Sequence, residues 1–354
     1  MRPFVYNGLP ARVVFADGAM SKLAGEIEKL GAKSVLVITT PNQKEDGVAL
    51  AAELKRFGAR LYTNATMHTP VDVTEDALRL VRESGTDLLV ALGGGSTIGL
   101  GKAIALRTDL TQIAIPTTYA GSEMTPILGE TKDGLKTTQR SLKILPEIVI
   151  YDVELTMSLP VGLSGTSGIN AIAHSVEALY AEDNNPIINL MAEESITALG
   201  RALPKIAANP KDREARSDAQ YGAFLAGACL GAVGMALHHK LCHTLGGTFD
   251  LPHAETHTIV LPHALAYNAP AVPNALAAVG RALGTEDAAL GIFELSGRVG
   301  APRALRDLGM PEDGIDKAAD MALANPYWNP RPLERRGIRE LISRAWAGEE
   351  PLAA

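Results

Sequence analysis

The hydrophobic pattern changes character near the middle of the chain. In the first half of the 354 residues, short β-rich runs alternate with helical patterns. The β-rich runs are 13–15, 35–38, 60–62, 88–92, 112–115 and 148–151, and helical stretches at 20–30, 47–57 and 75–84 lie between them. This alternation is typical of a mainly parallel sheet with helices on both faces.

From about residue 156 the pattern is purely helical, with long Ala-, Leu- and Glu-rich segments that carry apolar residues at a period of 3.6. The segments are 169–181, 187–203, 218–244, 261–267, 275–283 and, after a Pro-rich loop at 325–332, 336–347. We therefore predict a Rossmann-like α/β nucleotide-binding domain at 1–155 and an all-α catalytic domain at 156–354. A ligand is expected in the cleft between them.

Charge and cysteine content limit the partners and the compartment. The 33 basic and 40 acidic side chains give a net charge of −7 without a dense basic cluster, so nucleic acid is not an expected partner. The two cysteines lack metal-type spacing and the first residues lack a signal pattern, so we expect a cytoplasmic protein. The best candidate for a membrane span, 221–237, is short and rich in Ala and Gly, so no membrane contact is expected.

A glycine turn, Gly93, Gly94, Gly95 and Ser96, lies between the apolar run 88–92 and a predicted helix at 98–106. A strand, a glycine turn and a helix N-terminus in this order form an anion site, because the glycine backbone can approach a phosphate and the helix N–H groups face it. We interpret the turn as a phosphate site. An ordinary tight turn is the alternative.

A second turn, rich in hydroxyl groups, covers 116–123 after the strand at 112–115. Ligands bind at the carboxyl ends of strands in open α/β sheets, and the alternative interpretation is a helix N-cap at Ser122 or Thr118. The strand at 35–38 is followed by Thr39 and Thr40 rather than by an acid that would bind the ribose and repel a 2′-phosphate. Both NADH and NADPH are therefore expected to bind.

Most of the eight histidines fall within 174–263. Asn170 and His174 are four residues apart, as are His239 and His243, so each pair shares a helix face, and His253 follows in a predicted loop. We interpret these residues as a polar active-site cluster. The alternative is that each histidine is a packing residue of its own helix, as a lone histidine would be.

Three of these imidazoles, at His174, His239 and His253, could bind a metal. Asn170 stands where a carboxylate ligand is missing, so divalent affinity should be low. Glu177 either orients the His174 ring by accepting an N–H bond or is a surface residue of the same helix.

Together these motifs resemble the iron-containing alcohol dehydrogenase superfamily along nearly the whole chain. The resemblance rests on the glycine turn with Lys102, the turn at 116–123, and His174, His239, His243 and His253 in that order. It implies a dehydroquinate synthase-like fold, a nicotinamide cofactor and a homodimer. The positions that it implies for the cofactor are Gly94, Gly95, Ser96, Thr117, Thr118 and Lys136.

Departures from the family pattern indicate one branch of it. Asn170 replaces the metal-holding Asp, and Gly99 replaces the Asp of the glycine motif. With 94–102, 119–125 and the tail at 325–332, these departures are similar to the branch that reduces the C=C bond of an enone diacid in aromatic-ring catabolism. The resemblance implies a small dicarboxylate enone substrate and no requirement for a metal.

We expect the polar cluster to hold a substrate carboxylate or the enolate formed on reduction, with one histidine delivering the proton. The expected catalytic residues are His243, His253, His174, His239 and Asn170. Two alternatives remain open: a metal-dependent alcohol or polyol dehydrogenase of the same superfamily, and a nucleotide-sensing oligomer that has lost its chemistry.

Overall fold

The computed structural model describes residues 4–6, 8–9, 11–132 and 135–352, without the side chains of residues 135 and 136. Contacts divide the chain into two compact units, Leu9–Leu159 and Pro160–Ala354, the latter together with the N-terminal segment. The domain division predicted from the sequence, between 155 and 156, lies a few residues before the boundary between Leu159 and Pro160.

A six-stranded sheet, in which all paired strands are parallel, forms the centre of the α/β unit, in the order β1-β8-β5-β4-β2-β3. Its strands are β1 (Arg12–Ala16), β2 (Val35–Ile38), β3 (Arg60–Tyr62), β4 (Leu88–Gly93), β5 (Thr111–Pro116) and β8 (Ile148–Asp152). Strands β2, β4 and β8 are buried along their whole length, which explains their continuous apolar runs. The predicted α/β class of this half is confirmed.

Four helices accompany the sheet: α1 (Leu23–Leu30), α2 (Lys44–Glu53), α3 (Val71–Ser84) and α4 (Gly95–Thr108). Strand β2 shows how the sheet separates two apolar layers. Val35 and Val37 belong to one core cluster, whereas Leu36 and Ile38 belong to another. Successive residues of a strand point to opposite faces, so both faces of the sheet are covered.

The sequence analysis missed an antiparallel hairpin, β6 (Ile127–Lys132) with β7 (Leu135–Arg140). Its strands are polar, with Lys, Thr, Gln and Arg at many positions, so the apolar runs that mark the main sheet are absent. The Asp-Gly dipeptide at 133–134, a frequent hairpin signal, was the available indication.

Helices make up the long elements described in the second unit. They are α5 (Val161–Ala178), α6 (Pro186–Ala208), α7 (Arg213–Ala232), α8 (Leu237–Phe249), α9 (His253–Asn268), α10 (Pro273–Leu283), α11 (Ala288–Arg298), α12 (Gly314–Ala324) and α13 (Arg335–Ala347). The all-α class predicted for this half is confirmed, although α11 and α12 were missed.

Two helix predictions are wrong at their boundaries. The single helix predicted at 218–244 is interrupted after Ala232, where Val233 is extended, and α8 begins at Leu237. The helix predicted at 261–267 begins earlier, because Pro252 takes the N-cap position and His253 is the first helical residue. His253 therefore does not lie in a loop.

The interruption between α7 and α8 also bears on the candidate membrane span. Within the described part of the chain, no helix by itself has the length and apolar character needed to cross a bilayer. Among the described helices, α7 and α8 reach that criterion when they are taken together, and they are bent by 95°.

A buried chain of hydroxyl groups connects three helices. Ser175 on α5 donates to Ser195 Oγ on α6 at 2.8 Å, and Ser195 donates to the Gly222 carbonyl oxygen on α7 at 2.8 Å. Both serines are fully buried. Each therefore depends on the other for hydrogen bonding, since water does not reach them.

Replacing Ser195 by Ala should lower the free energy of unfolding by about 1–3 kcal/mol, because it leaves the Ser175 hydroxyl and the Gly222 carbonyl without this partner. Urea denaturation measures the loss. Thr197→Ala is the matched control: its hydroxyl bonds a carbonyl of its own helix, at Glu193. The control should change stability by about 0.5 kcal/mol or less, and equal losses in the two variants would contradict the argument.

Candidate active site

The glycine turn joins β4 to α4. Gly93 ends the strand, Gly94 is the N-cap, and Gly95 and Ser96 open the helix. Gly93 has φ 154°, which residues with a Cβ rarely adopt, and a Cβ there would lie 2.8 Å from Gln43 Oε1. The first N–H groups of a helix have no acceptor within it, so the turn presents donors at the positive end of α4.

The hydroxyl-rich turn lies against the glycine turn because β4 and β5 are neighbours. Gly93 is paired with Pro116, and Thr117 donates its N–H to the Gly93 carbonyl oxygen at 3.1 Å. A Cβ on Gly94 would lie 3.0 Å from Thr118 Cγ2. The structure thus brings Gly94, Thr117 and Thr118 together at the carboxyl ends of adjacent strands, where open α/β sheets bind ligands.

The other residues predicted to bind the cofactor are Gly95, Ser96 and Lys136. Gly95 is exposed and Ser96 is half-buried, whereas the Lys136 side chain lies outside the described residues. Gln43, which the sequence analysis did not select, donates from Nε2 to Thr117 Oγ1 at 3.2 Å. It follows β2, so a third neighbouring strand end contributes, and its place after a buried strand was the only sequence signal.

Lys102 is a fully buried cation that holds the chain after the hydroxyl-rich turn. Its Nζ donates to Ser122 O at 2.5 Å, to Thr125 Oγ1 at 2.9 Å and to Ile127 O at 3.0 Å. Burial lowers the pKa of this ammonium to about 7, although the charge of Glu123 opposes the shift. Four acceptor atoms of the segment 122–127, with Ser122 Oγ at 3.3 Å as the fourth, meet a single amine, so Lys102 fixes the position of that segment.

The hydroxyl-rich turn does not start an α-helix. It continues into the 3-10 turn Ser122–Met124, which Gly121 precedes at φ 77° and which has no side-chain cap. The alternative prediction of a helix cap at Ser122 or Thr118 is therefore wrong. Glu123 is buried in this turn and accepts a 2.7 Å hydrogen bond from the Tyr151 hydroxyl.

In the helical unit, the predicted histidines of α5 and α8 meet. Asn170 and His174 lie one turn apart on α5, and both are buried. His174 Nδ1 lies 2.9 Å from His239 Nε2, and His239 Nδ1 lies 2.6 Å from Glu177 Oε2. A carboxylate only accepts, so His239 donates from Nδ1 to Glu177, whereas the direction of the bond between His174 Nδ1 and His239 Nε2 depends on the tautomers of the two rings.

Glu177 attaches this arrangement to the start of α8. Besides the His239 ring, it accepts the backbone N–H of Ala236 at 2.9 Å and of His238 at 2.8 Å. Those groups lack intrahelical acceptors, and the carboxylate also faces the positive end of the helix dipole. Glu177 is fully buried, so its surface interpretation is wrong; it orients the ring of His239 and, only through it, that of His174.

His243 and His253 are more accessible than His174 and His239. His243 is half-buried one turn after His239, and its Nδ1 lies 3.0 Å from the Tyr327 hydroxyl. His253 is exposed at the start of α9. Tyr327 comes from the Pro-rich segment before α13, and nothing in the sequence pattern indicated that this segment reaches a histidine.

Two histidines that the sequence analysis did not select complete the cluster. His238 Nε2 lies 2.9 Å from His257 Nδ1, and both rings are fully buried. The centroid of the His257 ring lies 4.2 Å from that of His253 and 5.0 Å from that of His239. The i,i+4 spacing of His253 and His257 was an available signal, whereas His238 carried none.

The residues at the family's metal positions do not fit a divalent iron centre. Asn170 Oδ1 is buried and has no hydrogen-bond partner among the described residues, so an oxygen donor is available, but it is a neutral amide. His239 Nε2, the nitrogen that Glu177 leaves free for a ligand bond, is engaged with His174. An anionic ligand is thus missing at Asn170, and the nearby carboxylate of Glu177 is used by backbone and ring N–H groups.

Replacing Glu177 by Gln should lower the free energy of unfolding by about 2 kcal/mol or more, because an amide NH2 would then face N–H donors in a buried place. Urea denaturation measures the loss. Glu194→Gln, on the exposed side of α6, is the control and should leave stability within about 0.5 kcal/mol. A Glu177 variant as stable as this control would contradict the role given to the carboxylate.

Comparison with known proteins identifies the family. Residues 10–153 match the model of the iron-containing alcohol dehydrogenases, and residues 164–346 match the model of the C-terminal part of the Fe-containing alcohol dehydrogenase family. The resemblance and the two-part fold predicted from the sequence are therefore confirmed.

Individual relatives match over the full length. The chain is 55% identical to the maleylacetate reductase of Rhizobium sp. strain MTP-10005, over 99% of this chain and 100% of that protein. It is also 55% identical to the maleylacetate reductase of Sphingobium indicum, over 99% of each. The crystal structure of maleylacetate reductase from Agrobacterium tumefaciens superposes with a TM-score of 0.96 at 55% identity, covering 99% of this chain and 100% of the other. The chain belongs to the iron-containing alcohol dehydrogenase family and is a nicotinamide-dependent oxidoreductase.

Proposed function

We propose that this protein is a maleylacetate reductase, which uses NADH or NADPH to reduce the C=C bond of maleylacetate and forms 3-oxoadipate. One observation carries the proposal: over 99% of its length the chain is 55% identical to maleylacetate reductases from two bacteria. The alternative of a metal-dependent alcohol or polyol dehydrogenase is not favoured. This chain has Asn170 where the family pattern has a metal-binding Asp, and a neutral amide is a weaker metal ligand than a carboxylate.

The chemistry of the substrate fits a site built from hydrogen-bond donors. The C=C bond of maleylacetate is conjugated to a ketone, so hydride from the nicotinamide adds to the alkene carbon remote from that ketone. The electron pair of the C=C bond then moves toward the ketone and forms an enolate. A proton taken up by the adjacent carbon completes the reduction, and donors aimed at the enolate oxygen lower the barrier.

The helical unit supplies groups for both needs. Accessible imidazoles at His243 and His253 are suited to hold a substrate carboxylate or to deliver the proton, because histidine exchanges protons near neutral pH. His174, His239 and Asn170 form the buried part behind them. These roles rest on the accessibility and the hydrogen bonds described above.

We further propose that the reaction proceeds without a bound metal, that both NADH and NADPH serve, and that the protein acts as a homodimer in the cytoplasm. The donor set at Asn170, His174 and His239 supports the first point, since an amide stands where a carboxylate ligand would stand and the facing ring nitrogens lie 2.9 Å apart. The absence of an acidic residue directly after β2, at Thr39 and Thr40, supports the second.

The first experiment follows nicotinamide absorbance with maleylacetate, on chelator-treated and untreated enzyme in parallel. We expect rapid oxidation of NADH in both samples at the same rate. Turnover lost on chelation and restored by iron or zinc would return the chain to metal-dependent chemistry. Turnover in neither sample, with the protein folded and NADH bound, would overturn the proposed function.

The glycine turn provides a test of cofactor binding. Gly93→Ala should raise the dissociation constant of NADH about tenfold or more, because the backbone at φ 154° is strained for alanine and the added Cβ crowds Gln43. Fluorescence titration of NADH measures the constant. Gly25→Ala, on α1 where a Cβ would meet nothing within 4 Å, is the control and should bind NADH unchanged. Equal binding by the two variants would refute the assignment of the turn.

A further inference from the structure

The helical unit contains a cavity whose lining residues are different from those of the histidine cluster. Its volume is about 180 Å³, and residues of α9, of α13 and of the segment before α13 line it. His263 and Tyr267 of the lining are buried, whereas Glu340 and Leu352 are exposed. The cavity therefore extends from buried groups of the protein to its surface.

The size and the walls of this cavity fit a molecule with one ring. A cavity of about 150 Å³ between apolar side chains is large enough for benzene. Here Ala266, the Tyr267 ring and Leu341 provide apolar lining. An apolar body of that size therefore fits beside the charged groups of the lining.

Arg331 brings a positive charge to the cavity. Its guanidinium lies over the Tyr267 ring, 4.4 Å from the ring centroid, and its Nη1 donates to the Tyr267 carbonyl oxygen at 2.6 Å. Within the part of the chain that the structure describes, no carboxylate forms an ion pair with Arg331. A guanidinium has five N–H donors, so donors of Arg331 stay available for an anionic ligand.

The backbone that carries Arg331 is fixed on both sides. Asn329 exchanges amide hydrogen bonds with Asn268 at 2.7 and 3.0 Å, and its Nδ2 also donates to the Arg331 carbonyl oxygen at 2.7 Å. After Arg331, the Tyr267 hydroxyl donates to the Pro332 carbonyl oxygen at 2.7 Å. The guanidinium is thus held in place before a ligand binds, which lowers the entropy that binding costs.

His263 adds an unsatisfied polar group to the same lining. It is buried, and its Nε2 has no hydrogen-bond partner among the described residues. Burial first, and the charge of Arg344 second, lower the pKa of this imidazole to about 4, so the ring is neutral at pH 7. A neutral imidazole carries its proton on either nitrogen, and a carboxylate ligand selects the form with N–H at Nε2. Since native structures rarely leave a buried polar group unsatisfied, a ligand is expected to supply the partner.

The other charged residues of the lining are already compensated or exposed. Arg344 pairs with the Glu349 carboxylate at 3.0 Å and donates from Nη2 to the Glu350 carbonyl oxygen at 2.7 Å. Glu340 is exposed, so solvent and salt screen its charge. Arg331 is thus the lining cation whose charge an anionic ligand would neutralise.

We propose that this cavity binds a small organic carboxylate with an apolar body of about one ring. Arg331 pairs with the carboxylate, His263 donates a hydrogen bond to it from Nε2, and the wall with Tyr267 and Leu341 covers the apolar part. A planar guanidinium suits a carboxylate, because two parallel N–H groups meet its two oxygen atoms. The site is separate from the predicted active site, and the proposal does not depend on the proposed function.

Benzoate is the probe, because it joins a carboxylate to a single ring, and benzamide is its uncharged counterpart. Isothermal titration calorimetry of the purified protein should show saturable binding of benzoate and about tenfold or more weaker binding of benzamide. Inorganic phosphate, which has no apolar body, should also bind about tenfold or more weakly. Phosphate or benzamide binding as tight as that of benzoate would overturn the ligand class, and no binding of benzoate at millimolar concentration would overturn the site.

Variants of the lining locate the bound benzoate. Arg331→Met should raise its dissociation constant about tenfold or more, because the charge is lost while an apolar stem remains. His263→Leu should raise it about fivefold or more, since the buried N–H is lost and the wall stays apolar. Benzoate binding unchanged in Arg331→Met would overturn the assignment.

Arg335→Met is the matched control for the loss of one positive charge. Arg335 is exposed and pairs with Asp316 and Asp320 instead of lining the cavity. This variant should bind benzoate as the wild type does. Equal losses in Arg331→Met and Arg335→Met would show that net charge alone governs binding, and would overturn the site.

A further variant distinguishes the cavity from the predicted active site, because the proposed substrate is also a carboxylate. His253→Ala alters the predicted active site and should leave the dissociation constant of benzoate within about twofold. Loss of benzoate binding in His253→Ala together with unchanged binding in Arg331→Met would place benzoate in the active site and overturn the proposal. The titrations need no turnover, so they test the cavity even if the protein fails to reduce maleylacetate.

Discussion

The arrangement of the histidine cluster depends on one buried carboxylate, that of Glu177. An ionised group without water is costly unless several hydrogen bonds compensate it, and here the start of α8 supplies them through backbone N–H groups and the His239 ring. The interruption after α7 is what makes these N–H groups available. A continuous helix over 218–244 would have used them for its own carbonyl groups.

From Glu177 the hydrogen bonds extend in two directions, through His239 to His174 and through the backbone of His238 to the ring pair with His257. Burial first, and the neighbouring rings second, lower the pKa of His238 and His257 well below 6.5. The two rings are thus hydrogen-bonding groups rather than charged ones at neutral pH. With Asn170 in place of a carboxylate, the cluster has a neutral amide where the family pattern has an anionic metal ligand.

In the α/β unit the corresponding constraint is the register of the sheet. Because β4 pairs with β5 and with β2, the residues that follow these three strands lie side by side at one edge. Thr117 bonds the Gly93 carbonyl, Gln43 bonds Thr117, and Lys102 holds the segment that follows from within the core. Glycine is needed at positions 93 and 94, because a Cβ on Gly93 would crowd Gln43 and a Cβ on Gly94 would crowd Thr118.

Much of this protein could be predicted from its sequence. Strands buried on both faces need continuous apolar runs, which located β2 and β4, and spacing alone put Asn170 with His174 and His239 with His243 on shared helix faces. The polar hairpin β6–β7 and the interruption after Ala232 were missed, because hydrophobic periodicity reports burial and not where a helix must end.

Local pattern thus determined the fold class, the glycine turn and most residues of the histidine cluster. The tertiary structure alone decided which ring nitrogen meets which partner: that Glu177 bonds His239 and not His174, that His238 and His257 pair, and that Tyr327 reaches His243. These contacts join residues far apart in the chain. Which atoms meet follows from the packing of α5, α8, α9 and the segment before α13 rather than from any spacing in the sequence.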